Sequence, residues 1–194
     1  MSEVNKESFD TTIAIGELGT QFFHFNGTSK KYEYALPLID GGGGEYGGDT
    51  ETSEAPEMDL SYTPKISGRT TLNDIELTSN YTADRYKKWL EIVSNVDIHN
   101  YLELFSDGSA VAYSGTGGMP TITRGTPRTI TETIAPQNVI WIDDVNNVDQ
   151  ETYNELKDML NLTDTWSSNY KLPFDENTIP NKRLEFFKGT DATA

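Results

Sequence analysis

The sequence predicts a mainly β protein of the α+β class, with an antiparallel sheet and a helix packed on it. Short β-branched and aromatic runs recur along the chain and are separated by glycine, Asn-Gly or Asp-Gly. Several runs alternate apolar and polar residues, as half-buried strands do, whereas residues 83–93 space their apolar residues for a helix. At 194 residues, the chain is long enough for one domain with a substantial core.

Extended segments come first along the chain. Thr11–Gly16 and Thr20–Phe25 are predicted strands because they are rich in β-branched or aromatic residues. The pair Asn26-Gly27 predicts a turn, after which extended structure continues to Ile39.

A long acidic loop is predicted next, over residues 40–60, and it contains the run GGGGEYGGD. Between Tyr32 and Pro64 there are eight acidic residues and no Lys or Arg. Loops longer than about 12–15 residues inside a compact domain are uncommon, and they tend to be functional or disordered. Gly42, Gly44 and Gly47 have the G-x-G-x-x-G spacing, but the acidic segment after them has no apolar helical stripe, so no dinucleotide site is predicted.

The centre of the chain predicts a strand, a helix and a hairpin. The strand is the alternating run around Ile75 and Leu77. Thr82 is a suitable N-cap for the helix. Asp107-Gly108 is a strong hairpin signal. The core-facing stripe predicted for the helix consists of Tyr86, Trp89, Leu90 and Val93.

Two more strands and a second helix follow. The runs TITRG and RTITETIA are predicted strands separated by Gly125 and Pro127, and the second run has threonine at every other position from 129 to 133. Val148–Leu160 is a predicted helix that begins near Val148 or Asp149. Its apolar stripe consists of Tyr153, Leu156 and Leu160.

Composition argues against several functions. A net charge of −16 repels nucleic-acid phosphates and anionic membranes. The absence of cysteine excludes disulfides and zinc–thiolate sites, and no apolar run approaches the roughly 20 residues of a membrane span. The polar first residues do not resemble a signal peptide. His24 and His99 lie beside no nucleophile motif or metal-ligand pattern, so we expect no enzyme, no cofactor and no metal.

A series of short pieces resembles the major tail tube protein of long-tailed, siphovirus-type bacteriophages. They are TTIAIGELGTQ, the glycine- and acid-rich loop, GRTTLNDIELTSNYTADRYKKWLEIV, LELFSDGSAVAYSGTGGMPT and RTITETIAP, in this order over residues 11–138. The resemblance implies a β-sandwich or barrel-like tail tube fold with a flanking helix. We expect the core domain at residues 1–140 and an appended segment with one helix at 141–194.

The resemblance also implies a structural role in the virion tail, with assembly in the cytoplasm of the bacterial host. Subunits would form hexameric rings that stack into a hollow tube, through which DNA passes during ejection without specific binding. The expected partners are further copies of the chain, the tape measure protein, and tail terminator or distal tail proteins.

The long loop is implied to reach a neighbouring subunit. Glycine loses more backbone entropy on ordering than other residues, and the loop has little apolar surface in the monomer to offset that cost. Docking on a neighbouring subunit would supply the missing contacts. A solvated linker is the alternative. The predicted contact residues are Gly41, Gly42, Gly43, Gly44, Glu45, Tyr46, Gly47, Gly48 and Asp49.

Acidic side chains on the lumen wall would keep DNA phosphates away from it. Because side chains alternate along a strand, Glu76 and Glu103 each lie opposite the aliphatic residues beside them, and both are predicted to face the lumen. The tube exterior and a subunit contact are the alternatives. Glu132 falls on the same face as Ile130 and Ile134, which should face the core, so it is not assigned.

A second functional interpretation is a carbohydrate- or receptor-binding β-sandwich module of a phage baseplate. In that interpretation, Tyr and Trp side chains would stack on sugars, and the acidic loop would be a binding loop. Self-assembly of the purified protein would distinguish the two interpretations.

Overall fold

The computed structural model describes residues 20–39, 43–54, 65–93, 97–105 and 107–179. The predicted strand Thr11–Gly16 lies outside these residues. Within them, the strands are β1 Gln21–Asn26, β2 Lys31–Pro37, β3 Gly48–Glu54, β4 Lys65–Leu72, β5 Ile75–Asn80, β6 His99–Leu104, β7 Ala110–Gly117, β8 Thr121–Thr123, β9 Thr129–Ile142 and β10 Phe174–Asp175. The helices are α1 Ala83–Ile92 and α2 Gln150–Leu160, and Glu176–Thr178 forms a 3-10 turn.

Eight strands form one curled sheet in the order β10-β2-β1-β6-β7-β9-β5, and β8 pairs with β9. Neighbouring strands are antiparallel except for β10 and β2. The amide of Ile39 donates to the carbonyl oxygen of Thr78 at 3.1 Å, so the chain just after β2 meets β5 at the other end of the sheet. The sheet is therefore a half-barrel, which confirms the predicted mainly β, α+β fold class.

The β6–β7 hairpin forms where Asp107-Gly108 predicts it. Gly108 has φ 88°, a conformation that glycine adopts without strain. The Asp107 carboxylate accepts hydrogen bonds from the amide of Ser109 at 2.9 Å and from its hydroxyl at 2.6 Å. Turn chemistry in the sequence thus sets the register of two central strands.

The central strands are buried on both faces, whereas the sequence predicts a core on one face only. In β6, Leu102 and Leu104 face one side, while Tyr101 and Glu103 face the other, and all four are buried. Leu102 and Leu104 belong to a C-terminal-side core, where strand residues pack under residues 145–179. The opposite, helix-side core contains Phe22, Leu36, Ile75, Leu77, Trp89, Ile92, Tyr101, Val111, Tyr113, Ile130 and Ile134.

Helix α1 covers the helix-side core. Thr82 is its N-cap, as predicted, and its hydroxyl accepts from the amide of Arg85 at 3.2 Å. Trp89 is fully buried, and its ring lies 5.3 Å from that of Phe22. The predicted stripe needs one correction: Leu90 is only half-buried, and Ile92 is buried in its place.

The C-terminal segment packs against the sheet and shares a core with it. Helix α2 begins after the N-cap Asp149, and its buried residues are the predicted Tyr153, Leu156 and Leu160. Strand β9 continues to Ile142, across the boundary expected at residue 140.

Residues 48–54 are not a loop, and this part of the predicted loop at 40–60 is wrong. They form β3, which pairs with β4 in a separate two-stranded sheet. Its sequence, GDTETSE, lacks the apolar alternation that marks a strand, so pairing with β4 determines its conformation. We call the paired strands β3 and β4, Gly48–Glu54 and Lys65–Leu72, the arm.

Candidate assembly surfaces

The arm is joined to the sheet at a root formed by residues 43–48. The amide of Gly44 lies 3.3 Å from both carboxylate oxygens of Glu103, and the Glu103 carboxylate also accepts from the Tyr113 hydroxyl at 3.1 Å. The ring of Tyr46 lies 5.9 Å from that of Tyr113. A buried carboxylate with several donors is a strong anchor, so the root is held to the sheet.

Two positions of the root require glycine because neighbouring atoms lie too close to the backbone for a Cβ. A Cβ on Gly44 would overlap the side chain of Ile75, and one on Gly48 would lie 2.6 Å from the carbonyl oxygen of Thr71. By contrast, a Cβ on Gly47 would meet nothing within 4 Å. The described part of the glycine run is therefore fitted to the sheet and the arm. Gly41 and Gly42 lie outside the described residues.

Glu103 is 1% exposed, so the prediction that it faces the lumen is wrong. Alternation correctly places it opposite Leu102 and Leu104, but that face is itself a core, closed by the root of the arm. Burial raises the pKa of the Tyr113 hydroxyl well above its ordinary value, and the adjacent Glu103 carboxylate raises it further. Tyr113 therefore remains a hydrogen-bond donor to Glu103.

Glu132 is also buried on the helix-side face, between Ile130 and Ile134 in β9. Neither of its carboxylate oxygens makes a hydrogen bond that meets normal geometry within the described residues. Burial raises the pKa of Glu132 to about 7, and the backbone amide of Gly118 only partly opposes the rise. A Cβ on Gly117 would lie 2.7 Å from the Glu132 carboxylate, so this glycine provides the space that the acid occupies.

One end of the sheet presents a polar face that neither core covers. Glu76 is exposed there, opposite the buried Ile75 and Leu77, and it pairs in register with Thr133. The hydroxyls of Thr78 and Thr131 lie 3.2 Å apart. We call this surface the threonine face; with Glu76 it comprises Thr78, Thr121, Thr123, Thr129, Thr131 and Thr133. In the sequence, this face is indicated by the threonines at every other position of β9.

The two histidines meet beside a cleft of about 380 Å³ between β1, β2 and α1. The rings of His24 and His99 are 5.5 Å apart. Burial, then the nearby His99 and Lys88, lower the pKa of His24 to about 4, so His24 is neutral at neutral pH. Among the described residues, no three His, Cys, Asp or Glu side chains are grouped as metal ligands, and no helix is long and apolar enough to cross a membrane.

No protein-family model and no curated protein matches the chain. Solved structures share its fold. A chain from the tail of an empty GTA particle, determined by helical refinement with C6 symmetry, matches with a TM-score of 0.51 and 10% identity, over 66% of this chain and 98% of that one. A chain from the six-fold symmetrised baseplate of the anti-feeding prophage matches with a TM-score of 0.50 and 6% identity, over 70% and 97% of the two chains.

Both neighbours are components of particles with six-fold symmetry. At 10% and 6% identity, the likeness concerns the fold. The fold is therefore one that occurs both in a tail chain and in a baseplate chain.

Proposed function

We propose that the chain is the repeating subunit of a phage tail tube, in which six copies form a ring and rings stack into a hollow conduit for DNA. The observation that carries this proposal is the threonine face, the polar surface at the β5–β9–β8 end of the sheet. Its exposed members are Glu76, Thr121, Thr123 and Thr133, and its half-buried members are Thr78, Thr129 and Thr131. The six-fold symmetry of both fold neighbours supports the same stoichiometry.

In this tube the threonine face lines the lumen. Threonine hydroxyls are neutral and hydrated, so they offer DNA phosphates no cationic partner. Glu76 adds a negative charge to the same surface. Arg124 and Arg128 lie at the β8–β9 turn that ends this face. Once an acidic segment of a neighbouring subunit covers them, the wall lets DNA pass without specific binding.

The arm and its root form the contact between subunits. Isolated two-stranded hairpins are marginally stable in water, so the arm gains stability by packing against another surface. A neighbouring copy supplies that surface. The root residues Gly43, Gly44, Glu45, Tyr46 and Gly47 then set the direction in which the arm leaves the sheet.

This function needs no enzyme activity and no cofactor. The remaining partners are the tape measure protein inside the tube and tail terminator or distal tail proteins at its ends. Assembly takes place in the bacterial cytoplasm, and the mature protein resides in the virion tail.

A baseplate module that binds a carbohydrate or receptor is the second candidate, because one exposed tryptophan favours it. Trp141 is 56% exposed and stacks on Phe105, with ring centroids 6.0 Å apart. Its indole nitrogen donates to Asp143 at 2.8 Å. An aromatic platform beside a carboxylate is a surface on which a sugar ring can stack.

Sedimentation velocity and negative-stain microscopy of the purified protein test the proposal. A tube subunit should sediment as rings or longer polymers and appear as hollow tubes of constant diameter. A protein that remains monomeric at high concentration and binds glycans through Trp141 would support the baseplate module instead.

A further inference from the structure

The hairpin formed by β8 and β9 has an unusual charge for this chain. The chain has 31 acidic residues among 194, yet none lies between Gly108 and Thr131. Arg124 and Arg128 flank the hairpin turn, and both are exposed. Within the described residues, neither guanidinium makes an ion pair. The hairpin is therefore a small cationic surface on a strongly acidic protein.

The same hairpin has an open strand edge with exposed apolar side chains beside it. Strand β8 pairs with β9 along one edge, and no described strand pairs with its other edge. Met119 is 78% exposed, and Ile122 is 40% exposed. Open edges can accept a further strand through backbone hydrogen bonds, while flanking side chains provide selectivity.

Strand β3 of the arm has the complementary charge and an open edge, whereas its partner β4 carries Lys65 and Arg69. Strand β3 carries Asp49, Glu51 and Glu54, and residues 43–54 contain no Lys or Arg. Within the described chain, β3 pairs with β4 alone, so β3 also has an open edge. An acidic strand with an open edge and a cationic strand with an open edge therefore occur in one chain without pairing with each other.

We propose that β3 of one subunit docks on the β8–β9 hairpin of a neighbouring subunit, so that the acidic strand segment that carries Asp49, Glu51 and Glu54 lies beside Arg124 and Arg128. This inference rests on the proposed tube function and identifies the surface that receives the arm. The strand edges supply backbone hydrogen bonds, Met119 and Ile122 supply apolar contact, and the opposite charges set orientation and partner choice. The contact joins different parts of the two copies, so it propagates into rings or stacks.

Paired charge reversals in the full chain test this contact. The first variant, Glu51→Lys with Glu54→Lys, has a cationic arm and a cationic hairpin. The second, Arg124→Glu with Arg128→Glu, has an acidic arm and an acidic hairpin. The matched controls are Lys87→Glu with Lys157→Glu, and Glu155→Lys with Asp158→Lys, which reverse exposed charges on the helices.

We expect each variant alone to need at least about tenfold more protein than wild type to assemble, because like charges repel at the contact. An equimolar mixture of the two should assemble as wild type does, since each arm then finds an oppositely charged hairpin on the other variant. Sedimentation velocity at low salt measures both effects. The controls should assemble as wild type does.

Three results would overturn the proposal, and they differ in what they mean. If wild type forms tubes and each variant does so equally well, the arm docks elsewhere and the tube function stands. If neither variant assembles alone and the equimolar mixture does not assemble either, the arm and the hairpin do not contact each other. If wild type never forms rings or tubes, the proposed function falls, and this contact with it.

Discussion

Two buried glutamates differ in how the fold accommodates them. Glu103 has the Gly44 amide and the Tyr113 hydroxyl as donors. Glu132 has no such partner in the described structure, and burial raises its pKa to about 7. The two acids should therefore respond differently to substitution.

The Glu132 carboxyl should make the folded state less stable as pH rises from about 5 to about 8. Its folded-state pKa, about 7, lies above the ordinary 4.5, so over this range the folded chain keeps a proton that the unfolded chain releases. Glu132→Gln should reduce this pH dependence and raise the free energy of unfolding at pH 8. Urea unfolding at several pH values measures the free energy of unfolding of both proteins.

Glu76→Gln is the matched control, since Glu76 is exposed on the same end of the sheet. The comparison between variants is needed because the lowered pKa of His24, about 4, acts oppositely and reduces stability as pH falls. An unchanged pH profile in Glu132→Gln would show that the carboxyl is solvated in the folded protein.

Gly44→Ala should loosen the root of the arm, whereas Gly47→Ala should not. The added methyl group at Gly44 would overlap Ile75, but at Gly47 it meets open space. We expect a loss of about 1–3 kcal/mol in the free energy of unfolding for Gly44→Ala alone. Hydrogen exchange at residues 43–48 should rise in the same variant. Equal behaviour of the two variants would contradict the close packing at Gly44.

The alternation of apolar and polar residues in the sequence placed Glu103 and Glu132 correctly relative to their strand neighbours, but it could not show what covers them. It put Glu103 opposite Leu102 and Leu104, as the structure does. It could not show that both faces are cores, because helix α1 and the root of the arm close the face of Glu103, and residues 145–179, far along the chain, close the other. In the sequence, Glu132 falls on the apolar face of its strand. The structure shows that its side chain does lie in the core.

At the scale of elements, helix α1 was predictable and the arm was not. The N-cap and helical spacing of α1 are local signals. Strand β3 has few residues that favour strands, so its existence depends on β4, which begins eleven residues after β3 ends. Long-range pairing of a polar strand leaves little trace in the sequence.

Trp89→Ala should lower the free energy of unfolding by about 3–5 kcal/mol, because it leaves a cavity between α1 and the sheet. Trp89 is fully buried and contacts the Phe22 ring. Leu90→Ala is the matched control on the same helix, and its cost should be much smaller because Leu90 is only half-buried. Thermal and urea denaturation measure both. Similar losses in the two variants would contradict the orientation of α1.

The arm should serve assembly rather than folding of the monomer. Gly48 and Leu72 are register partners, so a linker of about three glycine and serine residues can replace Asp49–Thr71 without moving the root. We expect a folded monomer, a melting temperature within a few degrees of wild type, and no tubes. The same linker inserted after Gly27, in an exposed turn, should leave assembly intact. Normal tubes without the arm would assign it no role in assembly.

At the scale of the whole molecule, the sheet divides into a covered part and an uncovered part. Helix α1 and residues 145–179 cover the faces of its centre, whereas neither core covers the threonine face at the β5–β9–β8 end. Six-fold symmetry about an axis in front of this face would join six such surfaces into one continuous wall. The central claim is therefore that the threonine face surrounds the lumen.

Electron cryomicroscopy of tubes assembled from the purified chain tests that claim most directly. We expect a six-fold helical map in which Thr121, Thr123, Thr129, Thr131, Thr133 and Glu76 face the central channel. A map in which these residues lie on the outer surface or between rings, with another surface around the channel, would contradict it.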